Sequence, residues 1–522
     1  MISDISILPD DLSALKKEVL NLSEKDRRNQ KEIKILKEQI RYLQDKLFGR
    51  KSEKIVNGSG LQQMLLFDEP IETPQVSEAD DIEVPAYKRK KRGRKPLPDN
   101  LPRVDVIHDL NDQEKICACG CEKSRIGQEE SEQLDIIPAK MQVIRHIRYK
   151  YVCKNCEGVE ADEAAVSIAP MPEQIIPKSY ATPGLLSYLL TAKFVDALPF
   201  YRQEQQFRRL GVELSRATMC NWAVKVTHRC LPLLDILHSE ILSGLSTNID
   251  ETTLKVLKGN KKKNRSKSYM WIFRGGPPDK PALVFKYNES RAGDMAVSYL
   301  HGYKGYIQTD GYKGYEILDK KDGIHLVGCW AHARRKFVDV IKVAGKDRKR
   351  GAADDAVDFI KELYRIERNA RNQGLSFDEI YRLRQEKSLP ILQEFKKWLD
   401  KKSVETPPKS LLGKAIYYTR NQWPYLSRYV DQGYLKPDNN DAENAIRPFV
   451  LGRKNWLFSA TTEGAHASAA MYSLVETAKA NQIEPYSYLR FLFERIHLAK
   501  TTEDYKKLLP QYLDRDLLVT AT

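Results

Sequence analysis

Apolar residues recur at heptad spacing over residues 12–47, at Leu15, Val19, Leu22, Ile33, Leu36, Ile40, Leu43 and Leu47, with charged residues between them. A seam of that period predicts a coiled-coil helix that pairs with a second copy of itself. Asp26 and Asn29 fall on the seam, where polar residues lower stability but fix register and partner number. A surface helix packed on its own domain is the competing reading. The pattern then breaks. Residues 57–102 are first acidic (Asp68, Glu69, Glu72, Glu78, Asp80, Asp81, Glu83) and then run into Lys88-Arg-Lys-Lys-Arg-Gly-Arg-Lys-Pro96. A segment so charged and so poor in apolar residues cannot repay the entropy of ordering, so disorder is expected there. Strand period returns over residues 141–152. From 182 to 228 the period is helical, with Pro183 in a first turn and Leu185, Leu186, Leu189 and Leu190 on one face. A second helix spans 199–209, and a third opens at Ser215, a good N-cap. Helix, short turn with Gly211, helix is the helix-turn-helix arrangement of DNA-binding proteins. It would turn Arg216, Thr218, Asn221 and Lys225 to the major groove and Ala217, Trp222 and Val226 inward. A three-helix bundle that never touches DNA has the same pattern.

Residues 246–257, 268–274 and 282–288 switch to strand patterning, joined by loops rich in Lys, Gly and Pro. A helix over 291–300, a strand over 305–310, an amphipathic stretch and a strand over 325–329 follow. That order, three strands, helix, strand, helix, strand, is the order of an RNase H-like α/β fold. Its first strand carries an acid at mid-length, its fourth carries one at its end, and the two strands are neighbours. Asp250 in Asn248-Ile-Asp250-Glu-Thr and Asp310 in Gln308-Thr-Asp310-Gly-Tyr take those places. Residues 346–430 are helical and charged, over 352–371, 376–398 and 411–429, and are expected to form an all-α insertion that grips DNA or acts as a scaffold. Beyond it lies Lys436-Pro-Asp-Asn-Asn-Asp-Ala-Glu-Asn-Ala-Ile-Arg-Pro448, which supplies a third acid, Glu443. Residues 469–518 read as closing helices. Taken singly, Asp250 would serve as a turn cap, Asp310 as part of a turn-prone Asp-Gly, and Glu443 as an acid at a helix start. Three separated carboxylates that meet have another use, since hard oxygens hold divalent cations and leave sites open for phosphate.

At 522 residues the chain exceeds one core, and three or more folding units are expected. Its formal charge of +15, with 86 basic and 71 acidic residues, favours a polyanionic partner. Arg92, Arg94 and Lys95 form a candidate minor-groove hook, and a plain solvated basic run is the alternative. No run of about 18 apolar residues and no basic-then-apolar N-terminus occurs, so a cytoplasmic, nucleoid-associated protein with no membrane partner is expected. Of eight cysteines, five cluster in Cys117-Ala-Cys119-Gly-Cys121 and Cys153-Lys-Asn-Cys156. Paired knuckles flanking a β-rich stretch predict one structural zinc in a ribbon, with Cys117, Cys119, Cys153 and Cys156 as ligands and Cys121 as a spare. Cys329 and His332 have metal-like spacing but lack two further ligands nearby, so packing or substrate positioning is expected of them. Arg334, Arg335, Arg447, Arg453 and Lys454 are candidate phosphate contacts, or solvated helix faces.

The chain resembles a known family, the IS66-type insertion-sequence transposases. The resemblance rests on Leu47-Phe-Gly-Arg-Lys-Ser-Glu53, Leu97-Pro-Asp-Asn-Leu-Pro-Arg103, Ser131-Glu-Gln-Leu-Asp-Ile-Ile-Pro138, Asp250-Glu-Thr and Thr309-Asp-Gly-Tyr312. It extends through Cys329-Trp-Ala-His-Ala-Arg-Arg-Lys-Phe337, Asp438-Asn-Asn-Asp-Ala-Glu443 and Gly452-Arg-Lys-Asn-Trp-Leu-Phe458. It implies a DDE enzyme acting on transposon-end and target DNA, with Asp250, Asp310 and Glu443 as catalytic ligands of two Mg²⁺ or Mn²⁺ ions. It also implies accessory proteins from the same element. The family usually has Arg after the glutamate, where this chain has Asn444, and a Cys-x-x-Cys first knuckle. The resulting division is a dimerising coiled coil (1–50), a linker with the hook (51–103), a zinc ribbon (104–170) and a helix-turn-helix domain (171–240). The catalytic domain (241–345 and 431–490) is split by the helical insertion (346–430) and followed by C-terminal helices (491–522).

Overall fold

The computed structural model describes residues 12–48, 141–152, 166–258, 267–344 and 348–518. The chain forms two compact units, residues 52–171 and residues 172–522 together with 1–51. In the smaller unit, β1 (Lys150–Val152) pairs antiparallel with β2 (Val166–Ile168), Tyr151 opposite Ser167. The strand expected over 141–152 is thus confined to its last three residues. Upstream of them Val143, Ile144 and Ile147 stay exposed, since β2 offers partners only to 150–152. The hook residues Arg92, Arg94 and Lys95 and the zinc candidates Cys117, Cys119, Cys121, Cys153 and Cys156 lie outside the described residues.

The larger unit is mixed α/β. Its chain begins with α1 (Leu12–Phe48) and resumes with α2 (Pro183–Phe194), α3 (Phe200–Arg209) and α4 (Arg216–Ser243). Ser215 caps its helix as expected, and Thr182 caps α2 as well. Thr182 Oγ1 accepts from the Leu185 N–H at 3.2 Å and Ser215 Oγ from the Thr218 N–H at 3.1 Å. The third helix does not stop near 228. Met219, Trp222, Val226, Cys230, Leu233, Leu237 and Ile241 recur at helical spacing and carry one buried stripe down α4. That stripe joins the hydrophobic core of the sheet, so residues 175–241 and the α/β layer share one core.

The sheet contains β3 (Ser246–Leu254), β5 (Ser268–Gly275), β6 (Ala282–Asn288), β7 (Gly305–Gln308) and β8 (Ile324–Val327), in the order β6-β5-β3-β7-β8. The segment after Leu254 leaves it as β4 (Val256–Lys258), which pairs with β9 (Ser459–Thr461). β6, β5 and β3 are antiparallel, and β3, β7 and β8 are parallel. Asn248 lies opposite Gln308, which makes the strands of Asp250 and Asp310 neighbours. Short helices α5 (Asp294–Tyr299) and α6 (Glu316–Asp319) make the connections on either side of β7. After β8 come α7 (Trp330–Ala344), then α8 (Ala352–Asn372), α9 (Phe377–Leu383), α10 (Leu389–Glu405), α11 (Leu411–Asn421) and α12 (Trp423–Ser427). The expected helix over 376–398 is divided: one π turn, Arg384–Ser388, joins α9 to α10.

The chain then returns to the sheet with α13 (Asn440–Trp456), followed by α14 (Thr462–Ala480), α15 (Pro485–Arg495) and α16 (Thr502–Lys507). α14 covers the β6 edge in an unusual way. The Leu283 N–H donates to Thr477 Oγ1 at 3.1 Å, the Phe285 N–H donates to Ser473 Oγ at 2.7 Å, and Thr477 returns a bond to the Leu283 carbonyl. Hydroxyls on a helix thereby satisfy edge groups that would otherwise recruit another strand.

α1 runs unbroken through Asp26 and Asn29, with Gln30 donating to Asp26 at 2.8 Å. Gln39 and Tyr42 face α7 and α11 across a cavity of about 260 Å³ lined also by Lys336, Asp339, Leu411 and Lys414. The seam residues Val19, Leu22, Ile33, Leu36, Ile40, Leu43 and Leu47 stay exposed. One helix thus packs on its own domain through Gln39, Tyr42 and the seam residue Leu43, and leaves the rest of its heptad seam open. No helix among the described residues is long and apolar enough to cross a membrane.

Candidate active site

Asp250 stands mid-way along β3 and accepts the Glu251 N–H at 2.8 Å. Asp310 follows β7 by two residues. Gly311, at φ +82°, turns the chain there, and a Cβ in its place would meet Gln422 Oε1 at 2.7 Å. The Asp310 carboxylate accepts from the Tyr312 N–H at 2.9 Å, and its carbonyl from the Tyr418 hydroxyl at 3.0 Å. Glu443 lies in the first turn of α13. Burial pushes the Asp250 carboxyl well above its ordinary value, and the charges of Glu251, Asp310 and Glu443 push it further. Asp250 thus feels the charges of both other acids although they come from distant parts of the chain.

A buried polar clamp brings α13 to the sheet. Asn439 Nδ2 donates to the Ile249 carbonyl at 2.8 Å, and Asn248 Nδ2 donates to Asn439 Oδ1 at 3.0 Å and to Gln308 Oε1 at 3.3 Å. Gln308 Nε2 donates to the Lys436 carbonyl at 2.7 Å, and the Asn439 N–H to Cys329 Sγ at 3.3 Å. Asp441 is held by Arg274 and by Lys436, each at 2.6 Å. Along the same helix Arg453 donates to Thr252 and Thr253 at 3.0 and 3.1 Å. The Asn439→Ala variant would leave the Ile249 carbonyl without its Asn439 donor and the Asn248 amide with only its longer bond to Gln308. A loss of about 2–4 kcal/mol is expected in denaturant unfolding, together with reduced activity, because the backbone that carries Glu443 is released.

A second network lies under Asp310. Glu251, almost wholly buried, accepts from Arg291 Nε at 2.5 Å and from the Tyr315 hydroxyl. Burial raises the Glu251 carboxyl, and these two donors oppose the shift. Arg291 stacks 3.7 Å over the Tyr312 ring, whose own N–H holds the Asp310 carboxylate.

α7 contributes the other wall. His332 Nδ1 lies 3.4 Å from Glu443 Oε1, and Arg335 Nη2 lies 3.6 Å from Glu443 Oε2. The ligand atoms of Cys329, His332 and Glu443 lie within 4.8 Å of one another. Burial pushes the Cys329 thiol up and the His332 imidazole down. The pair with metal-like spacing therefore has a third partner, which spacing in sequence could not reveal because Glu443 returns from beyond the whole insertion.

Other candidates divide by exposure. Arg216, Asn221 and Lys225 are exposed along α4 and Thr218 is half-buried, while Trp222 and Val226 are buried as expected. Ala217 is exposed rather than inward, because Met219 takes the inward place and a residue two positions away lies far round the helix. Arg335, Arg447 and Lys454 are exposed, Arg334 is half-buried, and Arg453 is turned onto β3.

The family model described as "Transposase IS66 family" matches residues 178–467. Flanking it, "Transposase C of IS166 homeodomain" matches 35–106, "zinc-finger binding domain of transposase IS66" matches 114–157, and "IS66 C-terminal element" matches 473–511. Among similar curated proteins, the uncharacterized protein y4jD of Sinorhizobium fredii is 32% identical over 96% of each chain. The uncharacterized proteins y4qI, 29% identical over 98% of each chain, and y4hP, 30% identical over 83% of this chain and 79% of its own, come from the same strain.

Proposed function

This chain belongs to the IS66 transposase family, and from that premise we propose that it binds the inverted ends of an IS66-type element, cleaves their 3′ ends and joins them to target DNA. The reading is supported by buried Asp250, which feels the charges of both Asp310 and Glu443, and by a sealed carboxylate oxygen of Glu443 that makes no hydrogen bond and faces His332 and Cys329 in a group able to hold a metal ion. Such a concentration of negative charge with an orphaned acceptor fits a divalent cation better than a packing role. In this reading Asp250, Asp310 and Glu443 would together hold two Mg²⁺ or Mn²⁺ ions. When bound, the ions supply positive charge to the attacking and leaving oxygens.

The chain's own groups do the positioning. Tyr312 and Tyr418 fix Asp310, the Asn248–Asn439–Gln308 clamp fixes the start of α13, and exposed Arg335 offers a phosphate contact. Water attacks the phosphorus at the element end and frees a 3′ hydroxyl. That hydroxyl attacks target phosphorus, one P–O bond forming as another breaks, so ATP is not needed. The strand order β6-β5-β3-β7-β8 supports an RNase H-like reading of the sheet. Exposed Arg216, Asn221 and Lys225 support base or phosphate contacts by α4, the zinc-finger match supports one structural Zn²⁺, and the open seam of α1 supports self-association. Accessory proteins of the same element and a place on the bacterial nucleoid complete the proposal.

The test supplies the full chain with a labelled duplex of its element ends, a supercoiled target and Mg²⁺ or Mn²⁺. Nicked ends and strand-transfer products that vanish with EDTA are expected. End binding without metal-dependent cleavage would instead identify a DNA-binding regulator with an inert nuclease fold.

A further inference from the structure

The wall that faces Glu443 contains a nitrogen ligand that a count of carboxylates omits. His332 Nδ1 and Glu443 Oε1 face each other at 3.4 Å, the distance of a loose ion pair, each atom is sealed from solvent, and neither makes a hydrogen bond among the described residues. Buried polar atoms without a hydrogen bond are rare, and a cation held by both atoms would account for the two together. Ligand bonds of about 2.1 Å at the right angles of an octahedral Mg²⁺ or Mn²⁺ site place two neighbouring donors about 3.0 Å apart. The observed 3.4 Å separation lies a few tenths of an ångström outside that bite, within reach of a small side-chain adjustment. Electrostatically, His332 also senses Asp310 besides Glu443, so the ring borders the space between two of the acids.

We propose that His332, through Nδ1, is a further ligand of the ion that Glu443 holds, which makes that position a mixed nitrogen and oxygen site. The proposal rests on the reading of Glu443 as a metal ligand. Cys329 is not counted among the ligands, because its sulfur accepts the Asn439 N–H and braces the start of α13 from below. Arg335 Nη1 lies 3.4 Å from His332 Nε2. With Nδ1 on the ion, the neutral ring carries its proton on Nε2, so Arg335 must leave it. The Arg335 side chain is 52% exposed and has room to do so, which frees its charge for a DNA phosphate. An imidazole nitrogen suits Mn²⁺ better than Mg²⁺, so this position should favour manganese over what an all-oxygen site would show.

Mn²⁺ titration of the full chain, read by the electron paramagnetic resonance of the free ion, and pulsed spectra of the bound ion test this directly. Wild type should show ¹⁴N modulation from a coordinated imidazole. His332→Ala should lose it and bind Mn²⁺ about 10- to 100-fold more weakly, the range found even for lost outer partners of metal ligands. Circular dichroism of the variant should match wild type. A merely structural histidine would leave no ¹⁴N signal in wild type, and a signal that persists in His332→Ala would come from another residue; either result overturns the assignment. Glu443→Gln separates the two levels. If it weakens Mn²⁺ binding while wild type shows no ¹⁴N coupling, only the His332 assignment falls. If it binds Mn²⁺ as wild type does, the metal reading of Glu443 falls with it.

Discussion

Asp250→Asn is expected to lower metal-dependent end cleavage by about 10³-fold or more, the equivalent of several kcal/mol of lost transition-state charge stabilisation, while raising the melting temperature of the metal-free protein at neutral pH. The two effects share one cause. Burial and the nearby acids hold the Asp250 carboxyl well above its ordinary value in the folded chain. A carboxyl raised on folding contributes stability that is complete below its unfolded pKa and is lost as pH rises through its folded pKa. Metal-free wild type should therefore lose stability from mildly acidic pH towards neutrality, and the asparagine variant, which keeps other raised carboxyls such as Glu251 and Asp438, should lose less. Scanning calorimetry across that range should show the two curves converge at low pH and separate as pH rises. Added Mg²⁺ or Mn²⁺ should reverse their order, since only wild type gains from a ligand that binds the native state. An Asp250→Asn protein that melts below wild type in EDTA would refute the electrostatic account of the cleft. Glu443→Gln should likewise abolish strand transfer and spare end binding. Equal loss of both would make Glu443 a structural residue.

The second large effect lies away from the acids. Arg384 is 2% exposed, pairs with Glu367 at 2.7 Å, and donates to the carbonyls of Tyr429, Gln432 and Leu435 at 2.5 to 2.8 Å. It sits in the π turn between α9 and α10 and ties down the chain that leads into residues 436–443. Arg384→Met should cost about 3–5 kcal/mol, because Glu367, whose side chain is only 11% exposed, is left as an unpaired charge and three carbonyls lose their donor. Adding Glu367→Leu should return only part of the loss, since three carbonyls still lack a donor. Denaturant unfolding of the two variants measures both numbers. Full recovery in the double variant would mean that the carbonyls find other partners and that the guanidinium is not what fixes the path to α13.

Period and composition in the sequence were enough to find the strands of the sheet, the cap at Ser215 and the neighbouring places of Asp250 and Asp310. Each depends on contacts between residues close in sequence or on a pattern that repeats. The clamp of Asn248, Gln308 and Asn439 has no period. Its members are ordinary polar residues until the fold closes, and only then does one amide satisfy a carbonyl on another strand. The same reason hid Arg384, which reads as one more charge in a charged helix, and the partner of Cys329 and His332. The long burial stripe of α4 was visible in its residues. The turn-helix pattern ended that reading early, while the apolar residues from Cys230 to Ile241 continue it into the sheet. The zipper pattern was legible on one face only, since nothing in the heptads announces that Gln39 and Tyr42 would meet α7 and α11.

The hydroxyls that α14 lends to β6 also set an order of events during synthesis. Ribosomes deliver β6 long before Ser473 and Thr477, and Asp250 and Asp310 long before Glu443. A nascent chain that has made the sheet therefore carries an uncovered strand edge and an acid site with two members. Strand edges in that condition invite association between neighbouring chains, so early release or truncation before α14 should yield aggregate rather than a partial enzyme. The late segment supplies the third acid and then the edge cover, which ties the assembly of the proposed cutting site to the completion of the fold.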